Sequence, residues 1–315
     1  MKSKLVVFIL LATTLSLSAQ WKPAGDRLKT RWASQIDVDN VLPEYPRPIM
    51  ERSQWENLNG LWDYAILPVG KQTPTSFDGK ILVPFAVESS LSGVQKRLGS
   101  ENELWYQREF TVPSNWKNNR ILLHFGAVDW KADVWVNDVK VGQHTGGYVP
   151  FSFDVTPALK SGANKMIVKV WDGTDQGYQP RGKQVNNPHG IWYTPVSGIW
   201  QTVWMEPVPE KYIENVKITP DIDKNIINVE AFINQPASSD RIEVKVMEGS
   251  RVVATGQSIN NQPVEVSMPT NPRLWSPNDP FLYDLEVTVF NGSKQLDKVK
   301  SYTAMRKYST KRDDK

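Results

Sequence analysis

The sequence predicts an all-β protein, and three observations support this fold class. Apolar and polar residues alternate with a period of two in most runs from about residue 80 onward, as they do in strands with one buried face. The chain has 22 prolines and 19 glycines, which is typical of many short strands joined by turns. No segment keeps a long helical period. These patterns predict two successive β-sandwiches.

The first predicted sandwich covers residues 52–208 and begins in the segment RSQWENLNGLWDYAI. Asn137 and Asp138 separate two of its strands, and both residue types tolerate the positive φ that a tight hairpin turn requires. The alternating segments FSFDVTPAL and NKMIVKVWD follow, so a meander of strands is expected. Its clearest alternating runs are 121–125, 132–136 and 139–142.

A break in composition near residue 209 separates the second predicted sandwich, residues 209–308, from the first. Pro207 and Pro209 end one strand there, and Tyr212 begins the next module. Seven alternating runs in about a hundred residues match the size of an immunoglobulin-like sandwich. Because the chain has no cysteine pair, this assignment depends on the strand count alone. The runs are 213–220, 226–234, 242–248, 251–258, 263–268, 283–290 and 295–304.

The ends of the chain differ from these two modules. Residues 1–19 have a basic start, an apolar run at 5–11 and small residues before Ala19, which is typical of a secretory signal peptide. Export to the periplasm or the extracellular space is therefore expected. The Pro-rich residues 20–51 are predicted to form an irregular arm packed on the first sandwich. Residues 309–315 are interpreted as a truncated linker.

The composition excludes several kinds of function. There are 37 basic and 34 acidic residues without a dense basic run, so neither nucleic acid nor an anionic membrane is an expected partner. The absence of cysteine excludes disulfides, thiol nucleophiles and thiolate metal sites. The histidines at 124, 144 and 189 lack the spacing of metal ligands. No phosphate loop or dinucleotide fingerprint occurs, so no metal or cofactor is predicted.

Tryptophan is the most informative residue type, with 13 in 315 residues. The densest run, HGIWYTPVSGIWQTVWMEPV, closes the first module. An indole has a large apolar face and a polar N–H, so such clusters occur where aromatic surface meets sugar hydroxyls, and also in sandwich cores and between packed domains. The composition leaves these alternatives open. Trp130 and Trp135 are interpreted as core residues between the two sheets.

Several motifs carry a resemblance to a known family over residues 45–308. They are LNGLWDY, WYQREFTVP, HFGAVDWKADVWVNDVKVGQHTGGYVPFSFDVT, NKMIVKVWD, SGIWQTVWME and LWSPNDPFLYDLEVTV. In their order and approximate spacing they resemble the N-terminal half of glycoside hydrolase family 2, which comprises β-galactosidases, β-glucuronidases and β-mannosidases. The resemblance implies a sugar-binding jelly-roll sandwich followed by an immunoglobulin-like sandwich.

The resemblance also implies that catalysis belongs to a third domain. In this family both catalytic carboxylates lie on a TIM barrel that follows the second sandwich, and a barrel needs ~200 residues or more. The chain ends before such a barrel, so no catalytic residue is assigned. Most of the acidic residues in or near the first sandwich are interpreted as solvated turn or strand-face charges, and no two of them as a hidden catalytic pair. They are Glu88, Glu101, Glu103, Asp129, Asp133 and Asp172.

Two of these carboxylates are candidate sugar contacts through the resemblance. Asp172 follows the strand MIVKVWD, and in the family an aspartate at this point accepts hydrogen bonds from sugar hydroxyls. The alternative is a structural turn, because Asp before Gly is common in turns. Glu88 lies in VPFAVESSLSG, a loop that in the family also faces the substrate end of the jelly roll. The alternative for Glu88 is a solvent-exposed or turn-capping role.

Three further candidates lie together in NNPHGIWYTPVSGIW. His189, Trp192 and Tyr193 are suited to an aromatic platform beside a pocket. The alternative for Trp192 is contact with the barrel. Gly190 and Gly198 are interpreted as residues that permit tight backbone turns.

The functional prediction is a non-catalytic, β-galactosidase-like part of a family 2 glycosidase, whose carbohydrate partner is a terminal β-glycoside. One alternative is a free-standing secreted carbohydrate-binding module, and another is pairing with a separately encoded barrel. Exposed surface distinguishes the first two, because a docking fragment should present an apolar patch around Trp192, whereas a binding module should present a polar rim with one aromatic shelf.

Overall fold

The structure, a computed structural model, describes residues 21–26 and 28–313. The predicted signal peptide lies outside the described residues. Strands dominate the described part, and none of its helices is long and apolar enough to span a membrane. The helical elements found in this part are short 3₁₀ turns at Arg31–Gln35, Pro48–Met50, Ser90–Ser92, Ser114–Trp116 and Thr156–Ala158.

The first sandwich contains twelve of the strands found in the described residues, and its main sheets face each other. One sheet has the order β1-β12-β5-β9, and the other has the order β3-β2-β4-β10-β7-β8. The short strands β6 and β11 pair separately at one end. The strands are β1 (Glu56–Asn57), β2 (Gly60–Pro68), β3 (Gly79–Val83), β4 (Asn102–Thr111), β5 (Arg120–Phe125), β6 (Val128–Asp129), β7 (Lys131–Val136), β8 (Val139–Thr145), β9 (Phe151–Asp154), β10 (Ala163–Trp171), β11 (Gly198–Ile199) and β12 (Val203–Val208).

The core of this sandwich lies between the two main sheets, because alternate residues of each strand point inward. Trp62 is fully buried there, stands edge-on to Tyr106 with ring centroids 6.2 Å apart, and donates its indole N–H to the Leu58 carbonyl at 2.8 Å. The predicted hairpin between β7 and β8 is confirmed, since Asn137 and Asp138 have φ of 49° and 67°.

The interpretation of Trp135 as an inter-sheet core residue is wrong. Its neighbours Val134 and Val136 point into the core, so alternation directs Trp135 to the outer face of the six-stranded sheet. There it stacks on Trp105, with ring centroids 6.0 Å apart, in a small cluster that also contains Ala65 and Ile167. The sheet therefore has aromatic surface on both faces.

The second sandwich is immunoglobulin-like, as the strand count predicted. A three-stranded sheet, β13-β14-β17, faces a four-stranded sheet, β16-β15-β18-β19, and their inward apolar residues form a separate core. The structure has a strand at each of the seven predicted runs. They are β13 (Ile213–Asp221), β14 (Ile226–Ile233), β15 (Asp240–Glu248), β16 (Arg251–Ile259), β17 (Val264–Ser267), β18 (Tyr283–Asn291) and β19 (Lys294–Thr303).

The end of the N-terminal arm packs on the second sandwich, which differs from the expected packing on the first alone. Met50 belongs to the second core, and Glu51 forms a pair of backbone hydrogen bonds with Lys300 on β19. Arg52 donates to both carboxylate oxygens of Asp297, at 2.5 and 2.8 Å, and to the Ile213 carbonyl at 2.9 Å. The arm therefore ties itself to the second sandwich before it enters the first.

A buried carboxylate of the first sandwich completes this junction. Glu206 on β12 accepts from Arg47 at 2.6 Å and from the Tyr45 hydroxyl at 2.9 Å, and it lies 3.1 Å from Nε2 of His124. Burial alone would raise the pKa of Glu206, but His124, Arg47 of the arm and Arg52, which directly follows the arm, lower it to about 2. The ionised carboxylate thus holds the arm against the first sandwich.

Candidate functional site

Ser197 joins the two carboxylates that the sequence singled out. Asp172 directly follows β10, Glu88 lies in the loop after β3, and Ser197 immediately precedes β11. The Ser197 hydroxyl donates to Oδ2 of Asp172 at 2.8 Å, and its backbone N–H donates to Oε2 of Glu88 at 2.9 Å. The fold therefore brings Asp172 and Glu88 to the same end of the first sandwich.

Asp172 also closes a turn of its own. Its Oδ1 accepts from the Thr174 backbone N–H at 2.7 Å, and its Oδ2 lies 3.2 Å from the Thr174 hydroxyl. This is the Asx-type turn that the sequence analysis gave as the structural alternative. With these contacts and the one to Ser197, both carboxylate oxygens have protein donors.

A third carboxylate, Asp129, lies beside this pair, and we call Glu88, Asp129 and Asp172 the acid cluster. Asp129 is on β6, opposite Gly198 on β11, and only 4% of it is exposed. Among the described residues no hydrogen-bond donor contacts its carboxylate. Gly147 leaves the space for it, since a Cβ at that position would lie 2.5 Å from Oδ1 of Asp129.

Burial changes the acidity of two members of the acid cluster. Burial raises the pKa of Glu88 to about 7, although the N–H groups of Ser197 and Leu98 oppose the shift. Burial, followed by the negative charges of Asp172 and Glu88, raises the pKa of Asp129 to about 7. Near neutral pH each of these carboxyls can therefore donate a hydrogen bond when protonated and accept one when ionised. Hydroxyl groups, which both donate and accept, match this property.

The predicted aromatic platform lies on an exposed loop next to the acid cluster and not in contact with Asp172. Trp192 donates its backbone N–H to the His189 carbonyl at 2.9 Å, and Tyr193 donates to the Lys183 carbonyl at 2.8 Å. His189, Trp192 and Tyr193 are all exposed, and Tyr193 is 62% exposed. The structure thus keeps the three candidates together but separates them from the carboxylates.

The loop after β8 extends this exposed surface. The Gln184 side chain donates to the Tyr148 hydroxyl at 3.3 Å and accepts from the Val196 N–H at 2.6 Å, and Gln184 bridges to Tyr193 through the backbone. The two loops therefore meet at Gln184. Its hydrogen-bond partner Val196 directly precedes Ser197. We call the exposed side chains of these loops the apolar patch, which consists of Tyr148, Val149, Ile191, Trp192 and Tyr193.

An open cavity of about 400 Å³ lies on the other side of Glu88, between the arm and the loop after β3. Glu88 is the member of the acid cluster that lines it. Leu28 and Ala33 of the arm also line it, as does Pro195 of the segment that follows Tyr193. Glu88 therefore connects the acid cluster with this cavity.

The interpretation of the acidic residues as solvated charges is wrong for five of the six. Glu101 is exposed, whereas the other five are buried, because they occupy alternate positions on packed strands or the closed end of the sandwich. The buried residues are Glu88, Glu103, Asp129, Asp133 and Asp172.

Sequence reasoning did not single out Asp129, Ser197 or Gly147. Asp129 is three residues before the predicted alternating run 132–136, and the pairing of β6 with β11 places it opposite Gly198, next to Ser197. One signal was available, because the Gly-Gly pair of HTGGYV marks a close backbone approach. Within the described residues no group of three or more His, Asp or Glu side chains could hold a metal ion.

Comparison with known families matches both sandwiches. Residues 94–209 match the model described as "Glycosyl hydrolases family 2, sugar binding domain", and residues 211–306 match the model described as "Glycosyl hydrolases family 2". The chain belongs to glycosyl hydrolase family 2. The two matches adjoin at residue 210, between β12 and β13 of this family 2 chain.

Curated relatives of this family 2 chain are named as β-glucuronidases and β-galactosidases. A putative β-glucuronidase of Formosa agariphila is 29% identical over 66% of the chain and 25% of its own length. A β-galactosidase of Thermoanaerobacter pseudethanolicus is 28% identical over 67% of the chain and 29% of its own length. The β-glucuronidase of Felis catus is 27% identical over 86% of the chain and 46% of its own length. The chain thus spans between a quarter and a half of the length of these relatives.

Solved structures of family 2 show the same fold. The β-glucuronidase of Ruminococcus gnavus, in complex with a C6-substituted uronic isofagomine, has a TM-score of 0.65 at 21% identity, over 84% of this chain and 47% of that one. The β-glucuronidase of Lactobacillus rhamnosus has a TM-score of 0.65 at 23% identity, over 80% of this chain and 45% of that one.

Proposed function

We propose that the two sandwiches are the sugar-binding and docking part of an exported β-glycosidase and do not hydrolyse glycosides by themselves. The observation that carries this proposal is the apolar patch beside the acid cluster. Tyr148, Val149, Ile191 and Tyr193 are each between 46% and 62% exposed. Several exposed apolar side chains on two loops that meet at Gln184 are a candidate interaction site. A catalytic domain that covers the patch would have the acid cluster at its edge.

In this arrangement the acid cluster forms one wall of the substrate pocket. Carboxylates accept charge-assisted hydrogen bonds from sugar hydroxyls, which are about twice as strong as neutral ones. Asp172 would accept from a hydroxyl in exchange for Ser197 or Thr174, and Asp129 offers oxygens without a protein donor among the described residues. The substrate is a terminal β-glycoside, and the named relatives favour a β-galactoside or a β-glucuronide.

Dye binding tests the apolar patch directly. We expect a naphthalene sulfonate dye that fluoresces on apolar surfaces to bind the chain, and the double substitution Trp192→Ser, Tyr193→Ser to remove most of this fluorescence. Both side chains are exposed, so the free energy of unfolding should change little. The matched control is Val252→Ser, Ile259→Ser, which removes two exposed apolar side chains from β16. Equal loss of fluorescence in both variants would contradict the docking role.

The free-standing carbohydrate-binding module remains the alternative, since a sandwich of this class can bind sugar without a catalytic partner. It requires a polar rim with one aromatic shelf at the acid cluster. The exposed side chains beside the cluster include two aliphatic residues, Val149 and Ile191, which offer sugars no stacking face. Docking therefore accounts for this surface better.

A further inference from the structure

The outer face of the six-stranded sheet carries two buried carboxylates and a half-buried lysine, none of which belongs to the acid cluster. Glu103, Lys169 and Asp133 lie on the adjacent strands β4, β10 and β7, and Lys169 is paired in register with both Trp105 and Asp133. Glu103 and Asp133 are 6% and 7% exposed. This face is the one that also carries the stacked pair Trp105 and Trp135.

These charges are held in a fixed network. Nζ of Lys169 lies 3.1 Å from Oε1 of Glu103 and 3.5 Å from Oδ2 of Asp133. Nζ of Lys140 lies 2.6 Å from Oδ1 of Asp133, and the Gly70 N–H donates to Oε2 of Glu103 at 3.3 Å. The Lys169 and Lys140 side chains are 24% and 46% exposed, and ion pairs with exposed partners contribute only about 0–1 kcal/mol. Stability alone therefore gives little reason for two buried carboxylates on this face.

The network lines an open cavity of about 240 Å³, which has room for one sugar ring. Trp171 forms part of its wall beside Lys131, its partner in register on β7. The Trp171 indole N–H donates to the Ser100 carbonyl at 2.8 Å, which fixes the orientation of the ring. Lys131 is exposed, and no ion pair of its ammonium occurs within the described residues. The lining residues are Val69, Glu103, Lys131, Asp133, Lys169 and Trp171.

We propose that this cavity is a second carbohydrate site, which binds one pyranose ring of a hydroxyl-rich sugar chain. A sugar hydroxyl donates one hydrogen bond and accepts others, so neighbouring hydroxyls match alternating carboxylates and ammonium groups. Glu103 and Asp133 accept, whereas Lys169 and Lys131 donate, and contacts to charged groups are the stronger kind. The indole of Trp171 supplies an apolar surface for the C–H groups of the ring.

This site is separate from the acid cluster although Trp171 and Asp172 are neighbours in sequence. Successive side chains of a strand point to opposite faces. Val170 points into the core, Trp171 lies on the outer face, and Asp172 turns toward Ser197. A sugar at the outer face would thus contact Trp171, whereas the carboxylate of Asp172 faces Ser197.

Saturation-transfer NMR of the full chain with five methyl β-glycosides tests the proposal. The probes are the glycosides of galactose, glucose, mannose, xylose and glucuronic acid, at millimolar concentrations because a single ring binds weakly. We expect saturable binding of at least one probe. Glu103→Gln and Lys131→Glu should each weaken it ~10-fold or more, as expected for loss of hydrogen bonds to charged groups. Lys294→Glu, which changes an exposed lysine at the start of β19 in the second sandwich, is the matched control and should leave it unchanged. Asp172→Asn distinguishes this cavity from the acid cluster.

Lys131→Glu keeps the test independent of folding, since this side chain is exposed and its replacement leaves no buried group unpaired. Unfolding curves of each variant confirm that the fold is intact. Absence of binding for all five probes would overturn the proposal. It would also be overturned if Asp172→Asn abolished binding while Glu103→Gln and Lys131→Glu kept it, because the sugar would then bind at the acid cluster.

Discussion

Replacement of Arg52 by alanine is expected to lower the free energy of unfolding by about 3–5 kcal/mol, because it leaves a buried carboxylate without its partner. Arg52 and Asp297 are 7% and 6% exposed and form a two-pronged ion pair. The substitution also removes the donor to the Ile213 carbonyl. Unfolding by urea, followed by tryptophan fluorescence, measures the effect.

Arg251→Ala is the matched control for this variant. Arg251 pairs with Glu248 on the exposed hairpin of β15 and β16, and surface pairs contribute only about 0–1 kcal/mol. A loss below about 1 kcal/mol for Arg52→Ala would contradict the conclusion that this pair fastens the arm to the second sandwich.

Gly198→Ala is the second large effect that we expect, with a loss of about 3 kcal/mol or more from combined backbone strain and overpacking. Gly198 has φ of 91°, a conformation that residues with a Cβ rarely adopt. A Cβ there would lie 2.1 Å from the hydroxyl of Tyr106, which is fully buried and accepts the Ile199 N–H. Thermal and urea unfolding measure the loss.

Gly190→Ala separates the effect of backbone strain from the effect of overpacking. Gly190 also has positive φ, 54°, but no atom lies within 4 Å of a Cβ added there. Strain alone should cost about 1–2 kcal/mol at this position. Equal losses for the two variants would show that contact with Tyr106 contributes nothing.

Much of the fold could be predicted from the sequence because strand alternation is a local signal. The seven runs of the second sandwich and the turn at Asn137 and Asp138 are set by neighbouring residues, and the structure has them. The face on which a side chain lies was harder to predict. Trp135 alternates like a core residue, but the outer face of its sheet is also aromatic, so alternation alone does not identify the inner side.

The candidate site, like the fold, could be predicted from the sequence only in part. Asp172 and Glu88 were singled out through the family resemblance, and the structure places both at one end of the sandwich. Asp129 was considered in the sequence but not placed at the site, because its position there depends on the pairing of two short strands that are about 70 residues apart in sequence. The burial of Glu103 and Asp133 depends in the same way on three strands that come together from distant parts of the chain.

The apolar patch and the acid cluster together support our proposal that this chain recognises sugar and docks a catalytic domain but does not hydrolyse glycosides. Retaining hydrolysis needs two carboxyl groups about 5 Å apart, one as nucleophile and one as acid and base. In the acid cluster Asp172 is held in a turn by Thr174 and Ser197, and Glu88 by the backbone of Ser197 and Leu98. In these contacts both carboxyl groups accept hydrogen bonds, which is the role that we propose for Asp172 toward a sugar hydroxyl, and neither acts as a nucleophile or as an acid and base.

Hydrolysis of chromogenic β-galactoside, β-glucuronide and β-mannoside by the purified chain tests this claim most directly. We expect no turnover above buffer for any of the three at any pH from 5 to 8, the range that spans the raised pKa, about 7, of Glu88 and Asp129. Turnover that survives purification and disappears in Glu88→Gln or Asp129→Asn would contradict the account, because it would place a catalytic pair within these 315 residues.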